Sequence, residues 1–408
     1  MRVPVPYRDV VPAVLAGVIV GLLAAADGGF FPSAWRLSTI LFCSLAGIAL
    51  LMRERIAVAR VEIVLFGLIA GAAAWIGLSS AWSDDPSLSL LELERALVYV
   101  TAVGAAILLL DRDRIEALLT GIVAAVVAVA IVALSSGESA AGSLMGPVGY
   151  ANALGILCVL AILLAPVLRP VLAVAAVVPL GLTLVLTGSR GAWLALAAGL
   201  CTAAIVRFGR RGLALGALAA VTGAAVLLVA APALDLGDRP HYWRAAFRQY
   251  EEDPLLGSGA GTFQLHWPEH RPSDLTVLDP PDVLDAHSLY LEALAELGIV
   301  GLALVVAALA VPLWAFRKRL GDPLTSLLAP PYAAFLVHAG LDWDWEMPAV
   351  TLSGLVCGTA AAVAARGDGS RIESRARLGL LAVALGVAAV AAARFLLGPD
   401  VEQAPPTA

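Results

Sequence analysis

The sequence predicts an all-α, polytopic membrane protein with about 12–13 transmembrane helices and one large outer loop containing short helices. Three observations carry that class. Of the 408 residues, 60% are hydrophobic and only 14% are charged, whereas a soluble chain of this length would carry nearly twice that charge. Mean hydropathy is +0.90. Apolar runs recur along almost the whole length, interrupted by a single long polar segment. The chain therefore reads as one integral membrane domain, 1–408, without a fixed-period repeat. The first apolar run, 10–26, has no small-residue cleavage site and is followed by many others, so no removable signal peptide is expected. Cys43, Cys158, Cys201 and Cys357 stand singly inside apolar runs, a spacing that suits packing residues and neither a disulfide framework nor a metal cluster.

A hydrocarbon core about 30 Å thick needs roughly 20 apolar residues per helix. By that measure spans lie near 11–26, 37–52, 61–79, 95–110, 115–134, 149–168, 171–187, 191–206, 213–232, 288–316, 324–341, 348–365 and 378–397. The loops between them alternate in charge. Arg2 and Arg8, Arg53, Arg55 and Arg60, Arg112 and Arg114, Arg169, Arg207, Arg210 and Arg211, Arg317, Lys318 and Arg319, and Arg366, Arg371, Arg375 and Arg377 all fall in odd-numbered loops, counting the N-terminus as first. The positive-inside rule puts those loops and the N-terminus in the cytoplasm, and with thirteen spans the C-terminal tail lies outside. Of the basic residues left on the outer side, Arg36, Arg95 and Arg394 sit at span ends, where snorkelling accounts for them. Arg190, Arg239, Arg244, Arg248 and Arg271 need another explanation.

The polar segment is the outer loop, 233–286. Within it, 241–252 (HYWRAAFRQYEE) reads as a short amphipathic helix. Trp243, Phe247 and Tyr250 share one face there, and Arg244 and Arg248 share another. The glycines of 254–263 (PLLGSGAGTF) end it and suggest tight backbone turns against the membrane surface. No strand precedes them, which argues against a dinucleotide fingerprint. His266 and His270 are spaced as ligands on a helix would be, but Pro268 lies between them and no third ligand is obvious, so no metal is expected.

Arg190, in the outer turn 186–193 (LTGSRGAW), is an arginine at the hydrocarbon edge and hence a candidate for function. It either pairs with a distant carboxylate such as Glu92 or Asp342, or binds an anion. In the second case its planar fork of donors, joined by one or more of Arg239, Arg244 and Arg248, suits a diphosphate. His287 heads the stretch 285–301 (DAHSLYLEALAELGIVG). An imidazole there can take a proton from a hydroxyl nucleophile. A continuous helix from 288 to 316 would be about 43 Å long, lifting His287 clear of lipid. Ser288 is expected to cap that helix, Glu292 and Glu296 to hold loop arginines, and Gly298 and Gly301 to admit a neighbouring helix.

These residues resemble a known pattern. The stretch His287, Ser288, Gly298, Gly301 is similar to the His–Asn/Ser/Gln–nine residues–Gly–two residues–Gly signature of the O-antigen ligase and polymerase superfamily. The turn TGSRGAW resembles that family's serine–arginine turn, and 239–263 resembles its arginine–three residues–tryptophan loop start with the glycine-rich run after it. The stretch 78–86 (LSSAWSDDP) resembles its Trp-Ser-Asp-Pro loop, and 150–155 (YANALG) its Asn-rich helix start. The likeness covers most of 75–305. Leu302 stands where ligases often carry Thr or Trp, which leaves ligase, polymerase and protein O-oligosaccharyltransferase all open.

The resemblance implies a bacterial cytoplasmic-membrane enzyme that performs metal-independent, inverting glycosyl transfer on the outer face. A glycan on an undecaprenyl-diphosphate carrier would pass to a hydroxyl of lipid A-core, a growing polysaccharide or a protein. His287 would be the general base, Arg190 and Arg239, joined by Arg244, would bind the diphosphate, and Asp342 and Trp243 are candidates for the acceptor or sugar site. No cofactor, metal or nucleic-acid partner is expected. Two rivals are a small-anion (bicarbonate-like) transporter and a non-enzymatic scaffold. The first would want ionisable mid-membrane residues and related halves, which the sequence lacks. The second would not need a histidine and arginines together on the outer side.

Overall fold

The computed structural model describes residues 7–209, 238–271, 283–367 and 369–398. They form α1 (Tyr7–Ala25), α2 (Pro32–Met52), α3 (Arg60–Ser79), α4 (Pro86–Leu109), α5 (Ile115–Ser136), α6 (Ala151–Leu164), α7 (Pro170–Thr187) and α8 (Arg190–Phe208). The loop helices α9 (Arg239–Glu252) and α10 (Phe263–His270) follow. The chain then continues through α11 (Leu289–Lys318), α12 (Pro323–Ala339), α13 (Pro348–Ala364) and α14 (Ser374–Leu397). The only strands among the described residues are two-residue pairs, 57–58 with 370–371 and 139–140 with 143–144.

By length and composition α2, α3, α5, α7, α8, α11 and α14 can each cross a bilayer, and α1, α6 and α13 are shorter apolar helices. The protein is an all-α polytopic membrane protein. A helix occupies every predicted span except 213–232, which lies outside the described residues. All four cysteines are free.

Burial sorts the helices into a centre and a rim. α6 and α13 are buried along nearly their whole length. On α14 and α8 most of the apolar surface is exposed, including Leu385, Val390, Leu194 and Leu200. A helix apolar all round belongs inside a bundle or against lipid, and both cases occur here.

The two ends of the bundle differ. At one end Arg366 binds the fully buried Glu62 (2.5 Å), Arg53 binds Asp111 (2.6 Å) and Arg112 binds Asp322 (2.7 Å). The loops predicted to share a side of the membrane thus meet there. At the other end Glu94 is shared by Arg36 (2.7 Å) and Arg394 (2.5 Å), and Arg95 forks onto Glu92 and Glu346. The guanidinium of Arg95 also lies against the rings of Trp35 (5.5 Å) and Trp345 (5.4 Å). Snorkelling is therefore not the whole account of Arg36, Arg95 and Arg394: each also pairs with a carboxylate, Arg36 and Arg394 with the same one.

α11 also departs from expectation. Gly298 adopts φ 65°, ψ −171° and breaks the helix, so the expected overlong rod is two pieces, 289–297 and 299–318. The second, about 20 residues and about 30 Å long, suffices to span the core. The break frees carbonyls, and partners meet them. Ser258 N donates to Ala295 O (3.4 Å), Gly259 N to Glu296 O (2.8 Å) and Trp75 Nε1 to Leu297 O (3.0 Å). On the far side of the break Ile299 N donates to Pro254 O (3.0 Å). Backbone groups away from water must be paired, and the outer loop pairs these. A Cβ on Gly298 would collide with the backbone at Leu255. Gly298 thus admits the loop and not a neighbouring helix, whereas Gly301 does face Trp75 of α3.

Candidate functional site

The described part of the outer loop contains the expected helix, and its buried face is neither of the two grouped from the sequence. Tyr242, Ala245, Ala246 and Gln249 are the buried positions of α9, at spacings of three and four residues that define one helical face. Tyr242, Ala245 and Ala246 join Phe263 and Trp267 of α10, Val283, Ala286 and Ala295 in a small apolar core. The face bearing Phe247 is exposed and, with Trp243, Arg244, Arg248 and Leu291, lines an open groove. The glycine-rich run makes the tight turns expected of it, with positive φ at Gly257, Gly259 and Gly261. A side chain on Gly259 would strike Ser83. The 79–89 segment is hydrogen-bonded to this run through Trp82 Nε1 to Gly257 O (3.1 Å), Asp84 N to Ser258 O (3.3 Å) and Ser89 Oγ to Ala260 O (2.9 Å).

His287 sits between this loop core and the bundle. Its φ is +53°, a left-handed conformation rare for a residue with a side chain and found disproportionately at functional sites. Its ring packs on Tyr242 with centroids 5.0 Å apart. Nδ1 lies 3.3 Å from the Asp285 carbonyl. A carbonyl only accepts, so Nδ1 carries the hydrogen and Nε2 the lone pair. Burial pushes the imidazole below its ordinary value; Asp342 opposes that and Arg239 adds to it. Ser288 occupies the N-cap position of α11, yet its side chain makes no capping bond. Instead the Glu292 carboxylate accepts from Ala286 N (3.1 Å), and Glu296 accepts from Gly261 N (2.8 Å) and Phe263 N (2.9 Å). The two glutamates hold loop amides and not the loop arginines expected for them.

Asp342, in the turn between α12 and α13, is the hub. It accepts from Arg239 Nη2 (2.6 Å), Tyr150 Oη (2.8 Å), Asn152 Nδ2 (2.7 Å) and the Trp343 amide (3.0 Å). Burial would raise its carboxyl, but Arg239 first, then His287 and His338, hold it below the usual range. It is thus an anion held by surrounding donors, and it anchors Arg239. The Arg239 Nε–H is buried and makes no hydrogen bond among the described residues. Next to the hub His338 bonds Asp344 (2.8 Å). The Gly191 Cα faces the His338 ring, where a Cβ would come within 3.2 Å, so Arg190 at the head of α8 adjoins this group. Arg190 is exposed. Arg244 turns back on its own helix, to Pro240 O (3.2 Å) and His241 Nδ1 (3.1 Å).

The structure thus joins His287, Arg239 and Asp342 in one electrostatic group, with Arg190 adjoining it, and places Trp243 and Arg244 on the outer groove beside it. Tyr150, Asn152 and Tyr242 were not singled out by the sequence, whereas His338 was noted with Asp342 in the acidic, tryptophan-rich turn that follows α12. Only the YANALG stretch gave a signal for two of them. Two further groups could offer ligands to a metal: Asp285, Glu292 and Glu346, and Glu252, His266 and His270. The first is buried beside Arg95. Burial, then the Glu346 charge, holds the Asp285 carboxyl well above the usual carboxylate range, so the group reads as a proton-sharing cluster.

Residues 175–306 match a family model described as O-antigen ligase. The matched segment contains Arg190, Arg239, Trp243, Arg244 and His287; Asp342, Tyr150, Asn152 and the 78–86 loop lie outside it and reach the site through the fold. A comparison with curated proteins found no match.

Proposed function

We propose, from the match of residues 175–306 to the O-antigen ligase family model, that the chain works as a member of the O-antigen ligase and polymerase superfamily and transfers a glycan from an undecaprenyl-diphosphate carrier to a hydroxyl acceptor. The observation that carries this reading is the pairing of a base with an anion site. His287 presents a lone pair at Nε2, and Arg239, tethered by one nitrogen to Asp342, keeps a buried N–H with no partner among the described residues. A buried donor left unsatisfied is costly, and a diphosphate oxygen would satisfy it.

His287 Nε2 takes the acceptor's hydroxyl proton. The oxygen attacks the anomeric carbon from the side opposite the diphosphate, the new C–O bond forms, and the bond to the diphosphate oxygen breaks. The configuration inverts. Charge growing on the departing diphosphate is met by Arg239 and Arg190, with Arg244 at the groove edge. The leaving group already departs readily, so this route needs no metal at the reacting carbon.

A largely apolar cavity of about 150 Å³, lined in part by Ala72, Ala73, Leu289, Ala308 and Leu355, offers a seat for part of the carrier's prenyl chain. The concentration of Arg and Lys in the opposite loops supports a reading in which the site end lies outside a bacterial cytoplasmic membrane and the N-terminus inside. On this reading the chain acts as one integral domain, and the described part of its outer loop, 238–271 and 283–286, packs beside the site.

The test is a reconstitution. The purified protein in bilayers is given a lipid-diphosphate glycan and a hydroxyl acceptor, and the product's anomeric configuration is read by NMR. Transfer with inversion is expected, abolished in His287→Ala and Arg239→Ala. Full transfer by both variants would contradict the proposal.

A further inference from the structure

The loop carries a second constellation that glycan transfer does not use. Glu252 ends α9, and His266 and His270 lie one turn apart on α10 with their rings stacked, 6.0 Å between centroids and 11° between planes. Pro268 does not break that helix. His266 Nδ1 stands 3.8 Å from Glu252 Oε2, and His270 Nε2 stands 3.4 Å from Glu252 Oε1. Neither contact is a hydrogen bond, and neither nitrogen, though buried, has such a partner among the described residues. The three ligand atoms lie within 4.8 Å of one another. Zinc bonds of about 2.0–2.1 Å in a tetrahedron set neighbouring ligand atoms about 3.3 Å apart, close to the spacings observed.

The tautomer agrees. His266 Nε2 lies 2.9 Å from the Asp84 carboxylate, which only accepts when ionised. Nε2 therefore carries the hydrogen, and the Nδ1 lone pair points towards Glu252. A carboxylate, a histidine and an open ligand position in that order are the outer support that zinc-binding imidazoles ordinarily have. Without a cation, acceptors face one another across the gap.

We propose that Glu252, His266 and His270 bind a zinc ion, with Asp84 orienting His266. Glu252 is half exposed, so the fourth position opens to water. The ion staples the end of α9 to α10 and, through Asp84, to the loop between α3 and α4. Trp267 lies between the two histidines and meets Tyr242 edge-on, 5.0 Å away, and Tyr242 in turn packs on His287. The staple thus braces the wall behind His287 and takes no part in the transfer step.

The full-length protein, purified on a tag free of histidine, is titrated with zinc chloride, and bound metal is measured by mass spectrometry. About one tightly held equivalent per chain is expected. His266→Ala/His270→Ala should lose it, and Asp84→Asn should weaken binding about 10–100-fold. X-ray absorption at the zinc edge of the wild-type protein should show two imidazole ligands, a readout that stands even if the double variant fails to fold. Equal zinc in wild type and a folded double variant, or a zinc shell without two imidazoles, would overturn the proposal.

Discussion

His287 shows how much a single position depends on its surroundings. Its left-handed backbone and the Asp285 carbonyl fix which nitrogen is free, while burial keeps that nitrogen unprotonated. A base works above its pKa, so lowering the value from the ordinary 6.5 extends activity to more acid conditions. The rate should fall only as pH drops through the depressed value. The stability linked to this group has the same sign: it is complete above the unfolded value and is lost as pH falls through the folded one. Asp342 opposes the depression, so Asp342→Asn should move the acidic limb of the pH–rate profile to lower pH. An unmoved limb would mean that Asp342 does not act on the base. His287, Arg239 and Asp342 were legible in the sequence because ionisable residues are scarce in so apolar a chain. Tyr150 and Asn152 were not, because a tyrosine and an asparagine at a helix start look the same whether or not a carboxylate from residue 342 arrives between them.

At the scale of elements, the break in α11 decides where the loop sits. Glycine spacing in the sequence suggested close approach, but a periodic pattern cannot tell helix from loop as the approaching partner, and it read one rod where there are two pieces. The loop amides of Ser258 and Gly259 terminate the first piece, so a side chain at the break should release the loop. Gly298→Ala is expected to cost about 1–3 kcal/mol through backbone strain alone and more through collision with Leu255. Limited proteolysis should then cut within 239–271 faster than in the wild type. The cavity beside α11 makes a separate prediction. Ala308→Phe should raise the KM for a long-chain prenyl donor more than for a short-chain one, with kcat little changed. Equal effects on both donors would remove the cavity from the carrier's path.

Over the whole molecule, hydropathy and alternating charge were enough to place the helices, because the bilayer fixes both span length and the side on which arginines collect. The pairing of those charges was hidden, since Glu62 and Arg366 are 304 positions apart. Glu62 is fully buried, and removing its partner leaves an uncompensated charge. Arg366→Ala should therefore destabilise by about 3–5 kcal/mol, seen as a lower Tm in detergent, while Arg366→Lys recovers part of it. Topology has its own check. Single cysteines at Asp84 and Asp322, with Cys201 replaced by Ser, should be labelled by an impermeant reagent from opposite sides of the membrane. The most direct test concerns the base itself. With lipid-diphosphate glycan as donor, His287→Ala should cut transfer to a hydroxyl acceptor by about 10²–10⁴-fold. Azide, which has no proton to lose, should restore turnover as an inverted glycosyl azide. If His287→Ala transfers to the hydroxyl at the wild-type rate, or azide restores nothing, His287 is not the base.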